Sequence, residues 1–231
     1  MAELCIGQSS GSIKARLDFE TRTQLEEQAK LADAKADKGD SYLIHYRLDH
    51  GDFQDGDRIV ISIRGAGGLS DTLTVRTGKR LELPQMADLS LDGVLRSELL
   101  PRLTAHVAKY LRDPVVRATP LVRVGILGTV IRPGFYYVSA DLPLSDVLMS
   151  AGGPGSEADL DKVTVRRGSD VIIDDRNTRV ALTEGVSLDM LHMRAGDEID
   201  VGKQKHFNWS MVLPSAAAVL GLLITITQLS R

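Results

Sequence analysis

From Phe207 to Ser230 the chain runs for 24 residues without a charged side chain, FNWSMVLPSAAAVLGLLITITQLS. A membrane-spanning helix needs about 20 such residues at roughly 1.5 Å each. Pro214 suits a first helical turn, where its missing N–H is no loss. Counted from there the helix is short, about 25 Å by the same rise. Trp209 sits where an interfacial aromatic belongs, and Lys203, Lys205, His206 and Arg231 flank the stretch. A transmembrane helix over 207–230 is therefore expected, with a helix buried in a soluble core as the alternative. Ala217, Gly221 and Thr225 recur every fourth residue, a small face suited to helix–helix packing in lipid. Ala217 also belongs to a plain alanine run. Flanking basic residues on both sides leave the orientation open.

Averages conceal this tail. Mean hydropathy is -0.05 over 231 residues, and 28 Lys and Arg against 31 Asp and Glu give a net charge of -3. That balance argues against a general nucleic-acid binder, which carries a basic excess. Cys5 is the sole cysteine, which excludes an intrachain disulfide and a cysteine-based zinc site. It also lacks a lipobox, and Met1–Gly11 has neither a basic nor an apolar signal region. The histidines at 45, 50, 106, 192 and 206 form no HxH or HExxH pair. No P-loop, GxSxG or GxGxxG string occurs, and Asp159/Asp161 and Asp174/Asp175 read as solvated charge. A non-catalytic protein without a cofactor is expected.

The body divides by texture. Residues Thr21–Lys38 read as an exposed helix, with Thr23 and Glu26 as a capping box and Gly39 as its stop. Its apolar positions are thin, so it packs weakly or against a partner. A short helical stretch follows at Tyr42–Leu48. From Phe53 the pattern turns to strands: Arg58–Arg64, Asp71–Arg76 and Lys79–Leu83 alternate or carry β-branched residues, with glycines between them. Leu91–Leu111 is helical, with Leu95, Leu99, Leu103 and Val107 at four-residue spacing. Pro101 is expected to kink or restart it, and Asp113-Pro114 to end it. Strands resume at Val122–Leu127 and Phe135–Val138, around the Pro133-Gly134 turn. A short helix at Ser145–Ala151 stops at Gly152-Gly153, and strands follow at Val163–Arg167, Val171–Asp174 and Glu198–Val201. This is an α+β pattern with a helix on one sheet face. Gly56-Asp57-Arg58-Ile59 and Gly196-Asp197-Glu198-Ile199 each open a strand with G-D-x-I, which suggests related turns.

These segments, in this order, resemble bacterial polysaccharide export proteins of the outer-membrane auxiliary type. The strand led by Gly56-Asp57, the helix ending in Lys109-Tyr110-Leu111-Arg112-Asp113-Pro114, the run Val124–Tyr136 with Gly128, Pro133 and Gly134, and Leu144–Gly153 carry the likeness over 53–202. The chain is thus expected to divide into an N-terminal helical arm (1–52), read from its own pattern, an export-type α/β domain (53–120) and a soluble-ligand-binding β-grasp (SLBB) domain (121–205), which the resemblance implies, and the terminal transmembrane helix (207–230). The resemblance implies a role in capsule or exopolysaccharide export, with polysaccharide as ligand. Self-assembly into a homo-oligomer, contact with inner-membrane synthesis and co-polymerase proteins, and a periplasmic body anchored in a membrane, the outer rather than the inner, complete the expectation. Only one β-grasp module is visible, and the tail lacks a polar face, so anchoring is favoured over lining a pore. Arg132, Tyr136 and Tyr137 are the expected ligand contacts, since arginine donates to acidic sugars and aromatics stack on sugar rings. Core or interface packing of the tyrosines is the alternative. A membrane-tethered ligand-binding or scaffold protein without a pore role is the second functional expectation.

Overall fold

The computed structural model describes residues 19–35, 38–64 and 69–204. The expected membrane helix, its small face Ala217/Gly221/Thr225 and the glycines at 65, 67 and 68 lie outside these residues. Among the described residues no helix is long and apolar enough to cross a membrane.

The order of elements is α1 (Arg22–Ala34), α2 (Lys38–His50), β1 (Arg58–Arg64), β2 (Leu69–Arg76), β3 (Arg80–Leu81), β4 (Leu89–Ser90), α3 (Arg96–Val107), β5 (Val115–Gly128), β6 (Gly134–Ser139), α4 (Leu144–Ser150), β7 (Ala158–Arg167), β8 (Asp170–Ile173), α5 (Asp175–Glu184) and β9 (Glu198–Lys203). All nine strands join one sheet in the order β4-β3-β2-β1-β5-β9-β7-β8, with β6 also on β5. The β5–β9 pair is parallel and the others are antiparallel, so this is a mixed α+β fold.

Alternation decides which way each strand faces. In β1, Ile59, Ile61 and Ile63 are buried while Arg58, Val60 and Arg64 are exposed, the period-2 pattern of a half-covered sheet. Those isoleucines pack against Leu99, Leu103 and Val107, the four-residue stripe of α3. Val122, Val124 and Ile126 of β5 instead join Val147 and Leu148 of α4, Val163 and Val165 of β7, and Ile199 of β9. A third, small cluster sets Leu25, Ala29 and Ala32 of α1 against Ile44 and Leu95. Buried apolar area drives each of these packings at roughly 25 cal/mol per Å².

The two larger clusters share a strand. β5 is 14 residues long; its first half pairs with β1 from Val115–Arg64 to Leu121–Arg58, and its second half pairs with β6 and β9. The boundary expected at residue 120 falls inside this strand. Pro120 lies opposite Ile59 without interrupting the pairing.

The two G-D turns adopt the same geometry. Gly56 and Gly196 have φ of +93° and +91°, a region that favours glycine. In each turn the Asp carboxylate accepts from the backbone N–H three residues earlier, Gln54 N at 2.9 Å and Arg194 N at 2.8 Å. Each Asp N–H returns the bond to that residue's carbonyl, and each turn adds a reciprocal pair to a neighbouring strand, at Val75 for Asp57 and at Arg123 and Gly125 for Asp197. One side-chain difference separates them. Asp197 receives Arg167 Nε at 2.7 Å and Nη2 at 2.8 Å, whereas Asp57 Oδ1 is buried without a hydrogen-bond partner.

Several local expectations shift. The N-cap of α1 is Thr21, in a reciprocal capping box with Gln24, and not Thr23 with Glu26. Gly39 does not stop a helix; it lies in the first turn of α2, which at 13 residues extends beyond the expected Tyr42–Leu48 at both ends. Helix α3 runs through Pro101, whose ring is on the exposed side, where water can satisfy the freed carbonyl. It ends at Val107, six residues before Asp113, whose φ of +50° turns the chain into β5 after Pro114. Helix α5 was unexpected. Its signals are an N-cap, Asp174 Oδ1 accepting from Asn177 N at 2.9 Å, and a left-handed Gly185 after its last residue.

Candidate ligand-binding surface

The Pro133-Gly134 turn joins β5 to β6, and the expected contacts spread to different sides of it. Tyr137 lies opposite Arg123 in the ladder, on the sheet face away from the core. Arg58 of β1 stacks over the Tyr137 ring at 4.0 Å from its centre, and Arg123 stacks over Phe135 at 4.0 Å. Tyr136, one residue along, points to the other face, packs against the core of the second half, and donates its hydroxyl to the Arg132 carbonyl at 2.6 Å. Arg132 is exposed, and its backbone N–H is bonded to Ala151 O at 2.9 Å. Tyr137 thus shares a surface with Phe135, Arg58 and Arg123, and the structure does not bring Tyr136 and Arg132 into it. No local pattern singles out Arg58, Arg123 and Phe135, because alternation alone does not tell which strands become neighbours.

The glycines of this region serve the backbone. Gly128 ends β5 with φ of +78°, and a Cβ there would lie 2.2 Å from Val201 O and 2.9 Å from Val201 N. Gly152 and Gly153 follow α4 with φ of +83° and +84°, and their N–H groups donate to carbonyls at the end of the helix, Met149 O and Leu148 O.

A cleft of about 490 Å³ opens between α2 and the β8–α5 segment, lined by Tyr42, Leu43, Arg167, Val171, Asp174 and Asn177. Tyr42 and Val171 on its rim are mostly exposed.

Helix α2, one wall of that cleft, is fixed by a buried ionic cluster that reaches across the chain. Arg47, 1% exposed, donates to Asp52 Oδ1 at 2.7 Å, Glu20 Oε2 at 2.7 Å, Asp189 Oδ1 at 2.8 Å and Asp189 O at 2.9 Å. Its Nη1 also meets His192 Nδ1 at 2.7 Å. Arg96 at the start of α3 adds a bond to Asp189 Oδ1 at 2.7 Å and another to Met193 O at 2.9 Å, and its backbone N–H reaches Asp52. The residues expected to form a loosely attached arm therefore contribute Glu20 and Arg47 to one buried network with the second half of the chain. Burial alone would push the Arg47 guanidinium down, but Asp189 and Asp52 hold it above its ordinary value and firmly charged. Burial works against Asp52 ionising, yet Arg47 and Arg96 keep its carboxyl at about 2. Burial raises the Glu20 carboxyl, and burial together with Arg47 lowers His192 well below 6.5, so the imidazole is neutral and accepts from Arg47. Above the cluster Arg194 stacks on Tyr46 at 3.7 Å; burial first, and Arg167 second, lower it to about 10, which leaves it charged at neutral pH.

Among the described residues no group of three or more His, Cys, Asp or Glu side chains is placed to hold a metal ion. His45 pairs with Asp33 at 3.2 Å and His106 with Ala87 O at 2.7 Å, both structural contacts.

No curated protein matches the chain. Residues 123–181 match the family model of the SLBB domain, a domain that occurs in polysaccharide export proteins. The matched segment begins in the second half of β5 and ends within α5; β9, which pairs with both β5 and β7, lies beyond it. The chain therefore carries an SLBB domain whose first strand also belongs to the sheet of the preceding half.

Proposed function

We propose that the protein is a non-catalytic component of polysaccharide export across the bacterial cell envelope. In this reading the SLBB-containing body lies in the periplasm, the tail at 207–230 anchors it in a membrane, the outer rather than the inner, and copies assemble into an oligomer that binds or guides the polymer. Inner-membrane synthesis and co-polymerase proteins are its expected neighbours. The observation that carries the reading is the SLBB match at 123–181. The order of the flanking motifs and the length of the uncharged tail support it. Envelope fractionation of cells expressing a tagged chain tests the placement, and native mass measurement in detergent tests the assembly. Recovery in the membrane fraction as an oligomer is expected; recovery in the cytosol would overturn the reading.

The cleft beside α2 favours a second reading, a membrane-tethered protein that captures a small ligand or a neighbouring protein without any pore role. A strict monomer at micromolar concentration that is still membrane-bound would select it.

A further inference from the structure

We propose that the ligand of this protein is an anionic glycan, held on the open face of the sheet by Arg58, Arg64, Arg117 and Arg123 instead of at the Pro133-Gly134 turn. The proposal rests on the polysaccharide reading above and adds both the chemical class and the place.

Register puts the four arginines on one surface. Residues of β1 and β5 that alternate with the buried Ile59, Ile61, Ile63, Val122 and Val124 must face the other way. Arg58 is opposite Leu121, Ser62 is opposite Arg117, Arg64 is opposite Val115, and Arg123 is opposite Tyr137 on β6. Helix α3 packs behind β1 and α4 behind the second half of β5, so both lie on the reverse side. From Val115 to Gly125 this strip runs about 30 Å along β5 at the usual strand rise.

The strip is charged in one sense. No outward residue of β1, β2, β5 or β6 is acidic, and none of the four arginines forms an ion pair with a carboxylate among the described residues. The acids that border this face are Glu82, paired with Arg76 of β2 at 3.4 Å, and Glu198 and Asp200 on β9, beside the far end of β5. The arginines with close carboxylate partners, Arg22, Arg47, Arg96 and Arg167, are not among these four. Four arginines on one face without a carboxylate partner among the described residues are available to an external anion.

Two of them are also pre-ordered. Stacking on Tyr137 and Phe135 holds the guanidiniums of Arg58 and Arg123 in fixed planes, so less side-chain freedom is lost when a carboxylate docks. The aromatics then serve to position arginine rather than to stack on sugar. Ser62, Thr72, Thr74 and Thr119 place hydroxyl side chains on the same face by register. Spaced charges with neutral hydroxyls between them fit a polymer with one carboxylate per few sugars better than a nucleic acid, which carries a charge on every residue and meets a chain of net charge -3.

The test uses the full chain in detergent. Oligogalacturonate is the anionic probe, dextran of similar length the neutral one, and a single-stranded oligonucleotide the competing polyanion. Binding is read by fluorescence anisotropy at two salt concentrations. Oligogalacturonate is expected to bind, to weaken as salt rises, and to weaken at least tenfold in the double variant R58Q/R123Q, with dextran not bound. The Arg132→Gln variant is expected to bind as the parent does. The exposed positions make misfolding avoidable, and unchanged circular dichroism of R58Q/R123Q checks it; the second pair, R64Q/R117Q, repeats the test should the first fail to fold. Equal binding of dextran, retained binding in both double variants, or tighter binding of the oligonucleotide would overturn the inference. Envelope fractionation and restoration of polymer secretion by the parent chain report separately on the export reading. Restored secretion without oligogalacturonate binding leaves export standing and removes this site.

Discussion

Arg47→Met tests the claim that α2 is held by charge rather than by apolar packing. The substitution is close in length, so it leaves little cavity and removes one charge with its five donors. Three carboxylates, Glu20, Asp52 and Asp189, then face Arg96 alone. Arg96 reaches Asp189 and, through its backbone, Asp52, but makes no bond to Glu20. Removing one partner from a buried ion cluster costs about 3–5 kcal/mol, because the remaining charge stays desolvated. Taking about 4 kcal/mol, hydrogen exchange of the α2 amides should accelerate by roughly three orders of magnitude at pH 7.5. The loss should shrink at pH 5. Unpaired buried carboxylates bind protons more readily folded than unfolded, so the variant regains stability as pH falls. His192 moves the same way: with Arg47 gone, its protonated form meets Glu20, 3.5 Å away, without an opposing cation at its Nδ1. The parent loses stability through His192 below about 6.5, since the unfolded imidazole binds a proton that the folded one resists. Amide exchange by mass spectrometry on the full chain in detergent, at the two pH values, reads both effects. An acceleration below tenfold, or an equal loss at both pH values, would refute the assignment of the cluster as the clamp.

Other outcomes follow from single contacts. Burial raises the Asp57 carboxyl from 3.8 to about 6, so stability is lost as pH rises through that window; Asp57→Asn should raise the melting temperature at pH 8, keep part of that advantage near pH 5 and lose it only below about pH 3.8, as thermal unfolding by circular dichroism can read. Asp197→Asn in the twin turn should do the opposite, because it strips Arg167 of a two-pronged partner, at a cost of about 2 kcal/mol or more at neutral pH. Gly128→Ala should destabilise by about 3 kcal/mol or more, since the new methyl meets Val201 backbone at 2.2 Å in a left-handed conformation; the same thermal scan checks it. Asp174→Ala should cost about 1 kcal/mol and appear as faster exchange confined to the first turn of α5.

How much of this was legible beforehand varies with the range of the interaction. The Ile59, Ile61, Ile63 alternation and the Leu99, Leu103, Val107 stripe announced β1 and α3 because a half-buried strand and an amphipathic helix write their periods directly into neighbouring residues. The Gly56-Asp57 and Gly196-Asp197 echo was visible for the same reason, each turn being closed within four residues. α5 was missed because its face is only Thr178 and Ala181, so its caps carried the signal alone. No local pattern reveals that Arg58 crosses β5 to Tyr137, or that Arg47 and Asp189, 142 residues apart, share one buried site.

The sequence by itself determined the strand and helix periods, the SLBB-like run through Pro133-Gly134 and the uncharged tail, all features set by residues within a few positions of one another. Only the tertiary structure decided that β5 serves both halves of the sheet, that the helices at the start are clamped to residue 189, and that arginines from separate strands meet on one open face. Those decisions depend on which strands become neighbours and on which charges lose water together, and neither is encoded at short range.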